Sequence, residues 1–189
     1  MKQEQAQRSA FEMVVARAWG DLSFKAKLLA DPTSALATLG AAVPAGMTVK
    51  VVENVENLDY LVLPVQPAGE LSDEKVAEAT GIRLQGVAGG NPVFMPFCSW
   101  CPFCLDLVRK AWSDPAFKAK LLADPYAAIE AAGADVREGE TIRVLENTDK
   151  LIHLVLPLQP AGELSDKALD AVVGAVGDGG TAACWIART

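Results

Sequence analysis

The chain reads as an α+β protein of two tandem units, each made of helices, a β-hairpin and a short C-terminal helix. Three observations predict this. The stretch from Arg17 to Val76 is written twice. Ala18-Trp19 returns as Ala111-Trp112, Phe24–Pro32 as Phe117–Pro125, and Leu61–Asp73 as Leu154–Asp166 with only Val65 changed, to Leu158. The offset is 93 at every landmark (117 − 24, 154 − 61, 165 − 72), no gap is needed, and more than half of the positions are identical. Repetition of this kind sets the domain count before any residue is given a function. Each copy also opens with apolar residues at helical spacing and closes with two short apolar or alternating runs typical of strands.

In the first copy Phe11, Val14, Val15, Ala18 and Trp19 recur at helical spacing, and Phe24, Leu28 and Leu29 continue the pattern beyond a break at Gly20-Asp21. Asp21 and its counterpart Asp114 are placed to cap the next helix. Asp31-Pro32 ends that helix and starts another, which Gly40 stops. Met47–Val52 alternates as a half-buried strand does, Glu53–Asn57 forms a turn-like connection, and Leu58–Leu63 is a second, apolar strand. Pro64, Pro67 and Gly69 interrupt regular structure, and Ser72, followed by Asp73 and Glu74, suits the start of a last short helix. The second copy predicts helices near 105–113, 115–123 and 126–132, strands near 140–146 and 151–156, and a helix from Ser165. The domain division is a first unit at 11–80, a Gly-Gly and Cys-rich linker at 81–104, a second unit at 105–177 and a short tail at 178–189.

With 189 residues, 51% of them hydrophobic, the chain buries either one good core or two small ones. The repeat favours two small units, which should dock on one another or form a homodimer. A net charge of −7, with the basic residues scattered, argues against a nucleic-acid partner. The polar start Met1–Arg8 lacks the apolar stretch of a secretory signal, and no apolar run is long enough for membrane insertion. A cytoplasmic protein is expected, its four cysteines thiols or metal ligands rather than disulfides.

Two features can carry chemistry. Cys98, Cys101 and Cys104 have C-x-x-C-x-x-C spacing, from which three thiolates can converge on iron, cobalt or zinc, with Cys184 a candidate fourth ligand. The plainer alternative is a set of reduced cysteines in an apolar linker, with Phe94, Phe97, Trp100 and Phe103 packing against a unit. The other feature is a double glycine after each copy, Gly89-Gly90 and Gly179-Gly180. Two residues without side chains let a peptidase groove approach the backbone closely. A lone Gly-Gly pair is usually a linker, but recurrence at nearly the same place, three residues off the repeat offset (179 − 89 = 90), favours processing for the second pair and less so for the first. His153, the one histidine, has Tyr60 as its counterpart, so a catalytic device shared by both copies is excluded and a satisfied residue on a strand face is expected. Glu53, Asn54, Glu146 and Asn147 are read as hydrogen-bonding residues of the turns. The sequence has no phosphate-binding glycine loop and no H-E-x-x-H.

Val14–Asp31, the turn Val52-Glu53-Asn54, Tyr60–Pro64 and Pro67–Asp73, all repeated in the second copy, resemble the nitrile hydratase alpha subunit. They are still more similar to its shortened relatives, the nitrile hydratase-like leader peptides (proteusin-type precursors) of ribosomally made, post-translationally modified natural products. The hydratase carries a C-x-x-C-S-C claw whose cysteines and backbone amides hold a non-haem iron or cobalt. Here both copies run from Val- or Leu-Glu-Asn straight into the next strand, and the cysteines lie outside the units at a different spacing. The resemblance therefore implies a precursor. The repeats would be a leader recognised by modifying enzymes, and a double-glycine peptidase/ABC transporter would cut after Gly180 and export Thr181–Thr189. Thr181 would be dehydrated, and Cys184 would add to it as a thioether or cyclise to a thiazoline. No cofactor is expected of a precursor. The alternatives are a metal-binding relative using the cysteine cluster, whose enzyme form would be a nitrile hydratase-like lyase, and a non-catalytic duplicated scaffold.

Overall fold

The structure is a computed structural model and describes residues 10–69, 81–82, 93–94, 102–136, 138–159 and 186–188. The first copy begins with α1 (Ala10–Gly20), α2 (Leu22–Ala30) and α3 (Pro32–Ala37). Asp21 caps α2 as expected, its Oδ1 accepting from the Ser23 and Phe24 amides at 3.0 and 3.1 Å. Asp31 serves two helices: its amide closes α2 on the Lys27 carbonyl at 2.7 Å, and its carboxylate accepts from the Ser34 amide of α3 at 3.1 Å. Pro32, in the first turn, gives up an amide that would have had no helical partner. Gly40, at φ +77°, ends this helical stretch, and the Ala41 amide closes back on Leu36 O at 3.1 Å. The strands β1 (Thr48–Glu53) and β2 (Leu58–Leu63) follow.

Two short strands, β3 (Gly81–Ile82) and β4 (Val93–Phe94), pair antiparallel. The second copy then supplies α4 (Pro102–Ser113), α5 (Pro115–Ala123), α6 (Pro125–Ala131), β5 (Ala134–Val136), β6 (Thr141–Glu146) and β7 (Leu151–Leu156). Asp114 and Asp124 repeat the caps of Asp21 and Asp31. Near the end of the chain Ile186–Arg188 forms β8.

The α+β class holds, but the strand pairing differs from the expected hairpins. Within each copy the reverse turn is present: Val55 and Leu58 exchange two backbone bonds, as do Thr148 and Leu151. Beyond that single rung the strands part. β1 pairs parallel with β7 of the other copy, in the register Thr48↔Leu151 to Glu53↔Leu156. β2 pairs parallel with β6, in the register Leu58↔Thr141 to Leu63↔Glu146. Adding 93 to the first-copy residue and subtracting 93 from the second-copy residue turns one register into the other (48 + 93 = 141, 151 − 93 = 58), so the exchange is isologous, as at the interface of a two-fold dimer. The flanking bonds repeat as well. Asn54 N donates to Leu156 O and Asn147 N to Leu63 O, both at 2.9 Å.

The reason lies in the strands themselves. Leu61, Val62 and Leu63 are all buried, and so are Leu154, Val155 and Leu156. Consecutive apolar residues need cover on both faces, which is the habit of buried parallel strands and not of an isolated two-stranded hairpin. Exchange provides that cover. One core joins α1–α3 to Val49 and to Leu154 and Leu156 of the second copy. The other joins α4–α6 to Ile142 and Val155 and to Leu61, Val62 and Leu63 of the first. Each borrowed leucine contributes about 1.5–3 kcal/mol by its removal from water. The expected docking of the units is thus an interlock, in which neither core is complete without the other copy's strand.

Candidate functional site

Two polar clusters sit where the strands cross. In the first copy the Asn54 amide Nδ2 donates to Asp59 Oδ1 at 2.6 Å, and the Tyr60 N–H donates to Asn54 Oδ1 at 3.1 Å. In the second, Asn147 Oδ1 accepts from the His153 amide at 2.8 Å and lies 3.1 Å from His153 Nδ1. An amide oxygen only accepts, so this geometry assigns the ring proton to Nδ1. His153 is 7% exposed, and burial, followed by the charge of Lys50 opposite it in the β1·β7 register, holds its pKa below the usual imidazole value. It is the satisfied strand residue expected of it. Asn54 and Asn147 hold the turns, also as expected. The glutamates do something else: Glu53 pairs with Lys25 and Glu146 with Lys118, tying the strand ends to α2 and α5.

A second set of contacts locks the copies together. Trp19 Nε1 donates to the Pro157 carbonyl at 3.3 Å, and Trp112 Nε1 to the Pro64 carbonyl at 3.1 Å. Sequence reasoning missed this link, although the repetition of both tryptophans and both prolines at the offset of 93 was a signal. The segments that leave β2 and β7 are therefore pinned at their first residue.

At the chemical candidates the structure places little. Cys104 lies in α4, which Pro102 starts three residues before the expected helix start at 105, because proline's fixed φ suits a first turn. The expected linker also contains the β3·β4 pair, Gly81↔Phe94 and Ile82↔Val93. Cys98, Cys101, Gly89, Gly90, Gly179, Gly180, Thr181 and Cys184 lie outside the described residues, as do the helices expected from Ser72 and Ser165. The connections Asn54–Asn57 and Asn147–Lys150 are described and contain no cysteine. The tail, expected to be free, is not free at Ile186–Arg188. β8 pairs antiparallel with β5 in the register Ala134↔Arg188, Asp135↔Ala187, Val136↔Ile186. A three-residue strand is too short to announce itself in sequence, and its partner was equally inconspicuous.

The family profile described as "Nitrile hydratase, alpha chain" matches residues 1–65 and 103–173. The chain is similar to the low-molecular-weight cobalt-containing nitrile hydratase subunit alpha of Rhodococcus rhodochrous, 27% identical over 150 residues, which are 79% of this chain and 58% of the relative. It thus spans less than two thirds of the length of that curated relative. Among solved structures it is similar to a double mutant of the Fe-type nitrile hydratase from Comamonas testosteroni Ni1. There the TM-score is 0.52 and the identity 21%, covering 87% of this chain and 70% of that one. It is also similar to a recombinant thiocyanate hydrolase with partially modified cobalt centres, with a TM-score of 0.50, 16% identity and coverage of 87% and 68%. At these identities the structures establish the fold alone.

Proposed function

This chain belongs to the nitrile hydratase alpha chain family, and we propose that within it the protein is a leader-type member, a folded precursor of a ribosomally made, modified peptide. The observation that carries this reading is a contrast. Both copies keep the scaffold, their strand connections hold no cysteine, and each copy is followed by a double glycine. A hydratase-type centre does not fit those connections, where Asn54 and Asn147 are already spent on Asp59, Tyr60 and His153. No step through a metal is therefore derived there.

The leader would present the tail to modifying enzymes in the cytoplasm, keeping it at high effective concentration. Thr181 would lose its hydroxyl and a Cα hydrogen as water, and the Cys184 thiol would add across the resulting double bond. Cyclisation of Cys184 onto the preceding carbonyl, with loss of water, is the other product; either is one water lighter than the precursor. A double-glycine peptidase/ABC transporter would then cut after Gly180. Co-expression with any modifying enzyme and double-glycine peptidase that neighbouring genes encode, followed by mass spectrometry, tests the reading. The expected result is a peptide of residues 181–189 lighter by one water; an unmodified and uncut tail overturns it.

The cobalt and iron named for the relatives favour one second reading, a metal site at Cys98, Cys101 and Cys104. Chain purified anaerobically without chelators would then contain stoichiometric iron, cobalt or zinc. Cys104→Ser would remove it.

A further inference from the structure

We infer that the edge of β5 is a holding site for Ile186–Arg188, on which β8 is laid as an added strand so that the segment after the second double glycine is anchored beyond Cys184. This deepens the precursor reading and rests on it.

β5 is built to be a fixed edge. Gly133, at φ +88°, turns the chain out of α6, a conformation that favours glycine. Ala134, 2% exposed, then enters the second core, and Val136 packs against it. The strand is thereby held by its side chains while its backbone N–H and C=O groups need partners. β8 supplies them in antiparallel register. Recognition through main-chain bonds does not depend on side-chain identity, so such an edge accepts many sequences.

The composition of the held strand fits this role. Ile186, Ala187 and Arg188 carry neither hydroxyl nor thiol, so pairing them withholds nothing from dehydration or thioether chemistry. Thr181 and Cys184 both lie between Gly180 and the anchor. An enzyme would meet a segment tethered at two ends, with its reactive residues between them. The holding is conditional on the tether: a three-residue pair is weak by itself and is sustained by an effective concentration on the order of millimolar while the chain is intact. Cutting after Gly180 turns the pairing into a bimolecular one and releases the peptide.

Hydrogen exchange followed by mass spectrometry on the full, unmodified chain tests the inference, comparing the wild type with Ala187→Pro. Proline at 187 removes a backbone donor from β8. Amides of 134–136, 186 and 188 are expected to exchange at least about tenfold more slowly in the wild type, while those of β1 and β7 stay equally protected in both chains and report an intact fold. Equal rates at 134–136, 186 and 188 in the two chains overturn the inference. Protection at these sites in a chain that co-expression leaves unmodified and uncut keeps the holding site and removes the precursor reading; modification without protection does the reverse.

Discussion

At positions 93 residues apart the two copies make the same bonds: tryptophan to proline carbonyl, lysine to glutamate, asparagine to the strand amide six residues on. Some of their differences bear on structure. Behind the helix cap the first copy has Leu22, 75% exposed, where the second has Pro115 in the first helical turn. On the strand the half-buried Tyr60 stands where the second copy buries His153. After the third helix Gly40, Ala41 and Val43 repeat Gly133, Ala134 and Val136, but Pro44 follows Val43. A proline there has no N–H for an added strand. Val93-Phe94, the counterpart of Ile186-Ala187, pairs with Gly81-Ile82. Of the shared contacts the tryptophan bonds cross between the copies and the others brace each copy internally.

The largest effects should test whether the copies are energetically equivalent. Leu28 and Leu121 occupy matching sites with no exposure. Leu28→Ala and Leu121→Ala are each expected to cost about 2–5 kcal/mol. Because each core borrows strands from the other copy, both variants should unfold in one transition when urea denaturation is followed by tryptophan fluorescence. Two resolved transitions would mean that the copies are independent after all. Trp19→Phe and Trp112→Phe come next, leaving the Pro157 and Pro64 carbonyls without their donors at about 1–3 kcal/mol each. Equal losses in the same denaturation experiment are expected; a loss confined to one variant would break the equivalence.

Much of this architecture was legible because local chemistry decides it. Asp21, Asp31, Asp114 and Asp124 mark helix boundaries through bonds to amides two or three residues away, and a reader of the sequence can see those partners. Strand partners are another matter. Thr48 meets Leu151 about a hundred residues away, and the turn at Val55–Leu58 gives the same local signal whether the strands continue as a hairpin or diverge. Burial of Leu61, Val62 and Leu63 in succession was the available hint that β2 has cover on both faces. Of the candidate site, the roles of Asn54, Asn147 and His153 were readable, whereas the docking of Ile186–Arg188 depends on an edge that exists only once α6 has turned at Gly133.

A smaller effect concerns pH and the second copy alone. Since His153 has a lowered pKa in the fold, the unfolded chain takes up the proton first as pH falls. The histidine's contribution is complete above the ordinary value of about 6.5 and is lost progressively as pH drops towards the folded pKa. His153→Tyr, which copies the first unit, should flatten the stability profile in that window, as read from urea midpoints at a series of pH values. An unchanged slope would mean that His153 is not the group responsible. The smallest effect lies at the caps. Asp21 accepts from Ser23 Oγ at 2.6 Å in addition to its two amides, whereas Pro115 already helps to set the turn that Asp114 caps. Asp21→Ala should therefore lower the thermal midpoint slightly more than Asp114→Ala. The Ser23 hydroxyl, then the Phe24 amide, lower the Asp21 pKa, so the stabilisation from this cap is present above the ordinary aspartate value and fades at more acid pH in thermal melts followed by circular dichroism.

The exchange of strands also changes what a cut in the middle of the chain would mean. In a protein of beads on a string, a peptidase acting at Gly89-Gly90 would liberate two separate bodies. Here β1 is held by β7 and β2 by β6, and each core is built from pieces on both sides of the cut. The products would remain one particle, a two-chain complex held by the same ladders and the same tryptophan bonds, and covalent continuity between the copies would be a convenience of synthesis.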